Sequence, residues 1–155
     1  GLSVSAISHQ LRLLRDRGIG VGGVICRDGM IHDLMGSHAE FYAPEAAPDT
    51  IAVGDSHIYR SALSFGCGAL ERACSAARVI FIDEFGRLEM KREGLFRGAV
   101  GAIGTERALV VVRKSLLEPF KRLFSQYDFA VFEITRENRD RIPGQIMAYL
   151  VGRKK

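Results

Sequence analysis

Apolar residues at Val4, Ile7, Leu11 and Leu14 alternate with Arg12, Arg15 and Arg17 at helical spacing. This places the apolar positions on one face of a helix that Gly18 ends, because a glycine just past a helix accepts the left-handed backbone. Ile19 to Cys26 is rich in valine, isoleucine and glycine and predicts a strand. Arg27-Asp28-Gly29 is a turn signal, and Met30 to Met35 predicts a returning strand. Between Ala39 and Asp55, short extended pieces around Phe41-Tyr42 and Ile51–Val53 are separated by Pro44 and Pro48. That region reads as a β-rich insertion, and its pairing stays open.

From residue 60 onward the pattern simplifies. Ser61 to Ala77 returns to helical periodicity through Ala62, Phe65, Ala69, Leu70 and Ala73. Val79-Ile80-Phe81-Ile82 is apolar without alternation, the mark of a strand buried on both faces. A helix over 92–103, an apolar strand over 108–112, a helix over 116–124 and a partly alternating strand over 129–134 follow. Thr135 is expected to cap a last helix, with Pro143 kinking or splitting it. Strands alternating with helices predict an α/β fold: a mostly parallel central sheet with helices on both faces, carrying a β-rich insertion after the first helix–strand unit. With 155 residues and no linker or low-complexity segment, a single domain over 1–155 is expected.

Composition narrows the function. A net charge of +4 suits an anionic ligand such as a nucleotide. With no dense cationic run before the tail Arg153-Lys154-Lys155, nucleic acid is not an expected partner. Cys26, Cys67 and Cys74 form no CxxC pair, which argues for a reducing compartment and against a zinc site. The apolar runs fall short of a membrane span, so the expected location is the cytoplasm. His9, His32, His38 and His57 lack metal-ligand spacing.

The chemistry-bearing stretch is Val79 to Glu89. In open parallel sheets, ligands bind beyond the carboxyl ends of the strands. Asp83 and Glu84 stand at such an end, where two adjacent acids repel each other and need a compensating cation; magnesium is the usual one. In phosphoryl-transfer sites an aspartate here orients the hydrated metal, and a neighbouring glutamate polarises the attacking water. The bland reading is a strand end opening into a solvated loop, and Gly86-Arg87-Leu88-Glu89 weighs against it. Arg113-Lys114 also follows an apolar strand, as phosphate partner or as surface pair.

Ile82-Asp83-Glu84-Phe85-Gly86-Arg87-Leu88-Glu89-Met90 resembles the DEIGxME-type second nucleotide motif of the small P-loop nucleoside-triphosphatases of the cancer-related type. Gly18 to Ile25 is similar to that family's glycine-rich entry into a strand, and Val53-Gly54-Asp55 with Ile58-Tyr59 to its glycine-aromatic segment. Phe132 to Asp140 is similar to its closing strand and T-x-E-N-R-D helix start. The resemblance implies a P-loop fold that hydrolyses nucleoside triphosphates, ATP or GTP, with Mg2+ as cofactor and little base selectivity. It implies a metal role for Asp83, a water-activating catalytic role for Glu84, and nucleotide contacts from Asn138 and Arg139. Thr135 as helix cap with Arg139 solvated is the alternative for the last two. The family's phosphate loop, G-x-x-x-x-G-K-S/T, does not occur in these residues. Its expected position falls on Gly1, Leu2 and Ser3, read either as a trimmed start or as a degenerate remnant at a helix N-terminus. Three functions therefore stay open: a nucleoside-triphosphatase, an inactive nucleotide-sensing or scaffolding domain, and an unrelated binder of an anionic metabolite.

Overall fold

The computed structural model describes the backbone of residues 2–152 and the side chains of residues 4–152. It divides into two compact units, residues 1–20 with 128–155 and residues 21–127.

The larger unit is built on a five-stranded mixed sheet. Its strands are β1 (Val21–Arg27), β2 (Met30–Asp33), β3 (His38–Glu40), β7 (Val79–Asp83) and β8 (Ala108–Val111), in the order β3-β2-β1-β7-β8. β1, β7 and β8 run parallel, in the registers Val24 opposite Ile82 and Ile82 opposite Val110. β2 and β3 extend the sheet antiparallel. The hairpin β1–β2 turns on Asp28 (φ 54°) and Gly29 (φ 73°), the positive-φ pair that a two-residue Asp-Gly turn favours. All five residues of β7 are buried, as an uninterrupted apolar run predicts. Gly23 lets β1 approach this strand: its φ is +96°, and a Cβ there would collide with the Phe81 backbone.

Helix α2 (Arg60–Ala76) packs along β1 and against α4 (Phe96–Gly104). Ala62, Cys67, Ala69, Leu70 and Ala73 form its buried stripe. The β-rich insertion resolves into a second sheet, in which β4 (Tyr42–Ala43) and β5 (Thr50–Val53) flank β6 (Ser56–Tyr59). The expected helix over 92–103 begins later, at Phe96, because Arg92 and Gly94 both take positive φ. A short helix, α3 (Arg87–Met90), stands before that break. The expected helix over 116–124 becomes a 3-10 turn (Lys114–Leu116) followed by α5 (Leu117–Leu123).

In the smaller unit, α1 (Leu2–Asp16) packs against α6 (Ile142–Gly152). Gly18 follows α1 with φ +70° and ends it as expected. Two expectations fail in this unit. Residues 128–135 form no regular element, since alternation alone makes no strand without a backbone ladder. The last helix starts at Ile142 instead of after Thr135, because Thr135 and Asn138 bond each other in a closed turn. Pro143 then falls in the first turn of α6, where its missing N–H is no loss, and it splits nothing. No helix among the described residues is long and apolar enough to cross a membrane.

Candidate functional site

Because β1, β7 and β8 run parallel, their carboxyl ends lie together at one edge of the larger unit. Arg27 ends β1, Asp83 ends β7, and Arg113 stands two residues past β8. Phe85 fixes the chain beyond Asp83. Its N–H donates to the Val111 carbonyl at 2.9 Å, and its ring is fully buried against Phe96, Phe120 and Phe124. Glu84 is thus held between an anchored strand end and an anchored phenylalanine. Its carboxylate faces Arg113, with Oε2 to Nε at 3.7 Å, and both side chains remain partly solvated.

Asp83 is 8% exposed and accepts a hydrogen bond from the Cys26 backbone N–H. Burial, and then the charge of Glu84, push its carboxyl up to about 6; the Cys26 N–H and the charge of Arg27 pull the other way. The same acids act on Cys26. Burial, then Asp83, Glu89 and Glu84, drive its thiol up to about 12. Tyr42 on β4 also senses the cluster, its phenol pushed up by burial first and then by Cys26 and Glu84, against Arg113. The buried, charge-frustrated carboxylate beside a second acid fits a hard, oxygen-seeking cation. Asp83, with Glu84 adjacent, would hold magnesium. Among the described residues no three His, Cys, Asp or Glu side chains converge as a closed metal cage.

Glu89, whose purpose the sequence leaves undefined, ties the loop together. It is 6% exposed; Oε1 accepts the Gly86 N–H at 2.9 Å and Oε2 the Leu95 N–H at 2.8 Å. Burial raises its carboxyl, opposed by these backbone donors. Gly94 beside it has φ +64°, and a Cβ there would collide with Oε2. One carboxylate therefore closes the segment from Gly86 to Leu95 immediately after Glu84. Glu89→Gln turns one acceptor into a donor facing an N–H. The expected result is a loss of about 1–3 kcal/mol, read as a melting temperature lower by about 2–12 °C. Glu89→Asp, too short to span both donors, is expected to fall as far.

The other expected site residues belong to the smaller unit. Gly1 lies outside the described residues, and Leu2 and Ser3 are described only as the backbone that begins α1. Asn138 is committed to local structure: Oδ1 accepts the Thr135 N–H at 2.7 Å, Nδ2 donates to the Glu133 carbonyl at 2.9 Å, and Thr135 Oγ1 accepts the Asn138 N–H at 3.2 Å. Arg139 is exposed. The sequence reading missed Arg27, which the Arg-Asp-Gly turn signal disguised. Only the register of β1 on β7 reveals that it ends beside Asp83. His32 and His38, six residues apart, meet across β2 and β3 with ring centroids 5.5 Å apart, a pairing that sequence spacing does not display.

This chain resembles known proteins over most of its length. It is 28% identical to the nucleoside-triphosphatase THEP1 of Thermofilum pendens (strain DSM 2475 / Hrk 5) over 157 residues, covering 91% of this chain and 86% of that protein. With the nucleoside-triphosphatase THEP1 of Thermotoga sp. (strain RQ2) it shares 29% identity over 106 residues, 66% of this chain and 60% of the relative. Its fold matches the crystal structure of THEP1 from the hyperthermophile Aquifex aeolicus with a TM-score of 0.65 and 24% identity, covering 91% and 90% of the two chains. The fold is therefore the α/β type of the P-loop nucleoside-triphosphatases. The NTPase family profile matches residues 5–147, and the chain belongs to that family.

Proposed function

We propose that this chain binds nucleoside triphosphates, ATP and GTP alike, together with magnesium, and hydrolyses the terminal phosphoanhydride. The observation that carries the reading is Asp83-Glu84 at the exit of a fully buried central parallel strand, with an arginine at each neighbouring strand end. The family membership and the THEP1 relatives support it.

In this reading Asp83 would hold the metal, and Glu84, beside it and tethered by Phe85, receives the proton of the attacking water. The water oxygen bonds to the terminal phosphorus as the bond to the bridging oxygen breaks, releasing phosphate and nucleoside diphosphate. Magnesium, when bound, supplies charge neutralisation and orientation of the terminal phosphates. Arg113 can leave Glu84 for a phosphate oxygen, since their 3.7 Å contact is long and half solvated. Weak discrimination among nucleobases, which the family resemblance implies, is part of this reading.

The test is phosphate release from ATP, GTP, CTP and UTP, with and without magnesium, beside thermal shifts under the same conditions. Magnesium-dependent release from several triphosphates is the expected outcome. Binding without release would assign a sensing role instead, and no response to any triphosphate would refute the proposal.

A further inference from the structure

Arg27 presents a physical anomaly. Its Nε and Nη2 are shielded from solvent and have no hydrogen-bond partner. A buried donor left unmade is costly, and more so when it carries charge. The hairpin pins the backbone at Arg27, while the side chain keeps its own rotatable bonds. Arg27 is the last residue of β1, and the tight turn at Asp28-Gly29 returns the chain immediately into β2, with Arg27 opposite Met30. Nor does Asp83 satisfy it. The Asp83 carboxylate takes its hydrogen bond from the Cys26 N–H, so Arg27 offsets charge at a distance while those two donors stay unused.

Its position indicates what the donors await. Arg27 lies at the carboxyl end of a parallel strand adjoining β7, where an open sheet receives its ligand. A guanidinium offers parallel N–H donors matched to phosphate oxygens. We propose that Arg27 contacts substrate: its guanidinium, with Nε and Nη2 shielded and unpartnered in this structure, turns toward the sheet edge when nucleotide binds and donates to the terminal phosphates of the nucleotide whose metal Asp83 would hold. This inference rests on the nucleoside-triphosphatase reading and deepens it by naming the residue that meets the phosphate charge from within β1.

The experiment compares wild type, Arg27→Met and Arg27→Lys by thermal shift and by titration with MgATP, MgGTP and AMP. In the free protein the two unmade donors cost more than the distant attraction between Arg27 and Asp83 returns. Arg27→Met is therefore expected to melt at or above the wild-type temperature without nucleotide, yet to bind MgATP and MgGTP about ten- to a hundredfold more weakly. AMP, lacking terminal phosphates, is expected to bind both proteins equally. Arg27→Lys keeps the charge without the paired donors and is expected to fall between them. Should Arg27→Met not fold, weaker MgATP binding by an Arg27→Lys protein of unchanged melting temperature decides in favour. A wild type that responds to MgATP beside an Arg27→Met protein of equal affinity overturns this inference alone. A lower nucleotide-free melting temperature with unchanged affinity makes the arginine structural. A wild type indifferent to every nucleoside triphosphate overturns both readings.

Discussion

Glu84→Gln is expected to lower kcat for nucleoside-triphosphate hydrolysis by about 10²–10⁴-fold, the usual loss when a positioned general base is removed. Glutamine preserves the size of the side chain and its anchoring between Asp83 and Phe85, so the loop keeps its shape. What disappears is the group that accepts the proton of the attacking water. KM for the MgATP complex is expected to change by only about twofold, because a contact realised in the transition state affects kcat and leaves ground-state binding alone. The contact of Glu84 with Arg113 adds a second signature. Losing the carboxylate frees Arg113, so affinity for the triphosphate is expected to hold or tighten in Glu84→Gln while turnover collapses. Single-turnover phosphate release and equilibrium binding measure the two separately. Equal turnover in wild type and variant would remove Glu84 from the catalytic role.

The distribution of charge at this edge follows from which strand ends are buried. β7 is enclosed on both faces, so its terminal carboxylate leaves water and its pKa rises. Glu84, one residue further, is already half solvated. Two chemically similar acids thus acquire different environments from a single step along the chain. In the proposed function, the buried Asp83 would serve the metal and the more solvated Glu84 the proton transfer.

How much of this was legible in the sequence varies with the kind of information each feature needs. Val79 to Ile82 announces itself because burial on both faces leaves no polar position, and the acids that follow inherit a defined address. The helix ending at Gly18 is equally local, written in one glycine and a row of apolar spacings. Arg27 is different. Locally it belongs to a turn signal, and its relation to Asp83 arises from the register that sets Val24 opposite Ile82, more than fifty residues away. Glu89 is also invisible locally, because its two partners are backbone N–H groups that become neighbours only when Gly94 turns the chain. Phe129 to Ile134 fails in the opposite direction. Its composition is strand-like, but a strand is a property of a pair, and the described residues form no ladder there. Asn138 shows a third limit: its side chain resembles a ligand contact in sequence, while in the fold it closes a turn with Thr135.

Asp83→Asn is expected to make the protein more stable and to remove its response to magnesium. The carboxyl of Asp83 is raised from 3.8 to about 6 in the folded chain. Between those values the folded state binds a proton that the unfolded state releases, so stability falls as pH rises through this window and the full penalty stands above about pH 6. A shift of this size corresponds to roughly 3 kcal/mol. Asparagine keeps the shape and still accepts the Cys26 N–H, but it carries no charge to desolvate. Its stabilising effect is therefore expected to be largest at pH 7–8 and to vanish below about pH 3, where wild-type Asp83 is protonated in both states. Thermal melts of wild type and Asp83→Asn across that range give the comparison. In wild type, magnesium with nucleotide is expected to supply the counter-charge that the buried carboxylate lacks and so to raise the melting temperature. In Asp83→Asn this increment is expected to disappear together with magnesium-dependent hydrolysis. A variant less stable than wild type at pH 7, or one whose melting temperature still climbs with magnesium and nucleotide, would show that Asp83 is a structural strand end. A gain in stability tied to a loss of metal response is what separates a charge kept for chemistry from one kept for folding.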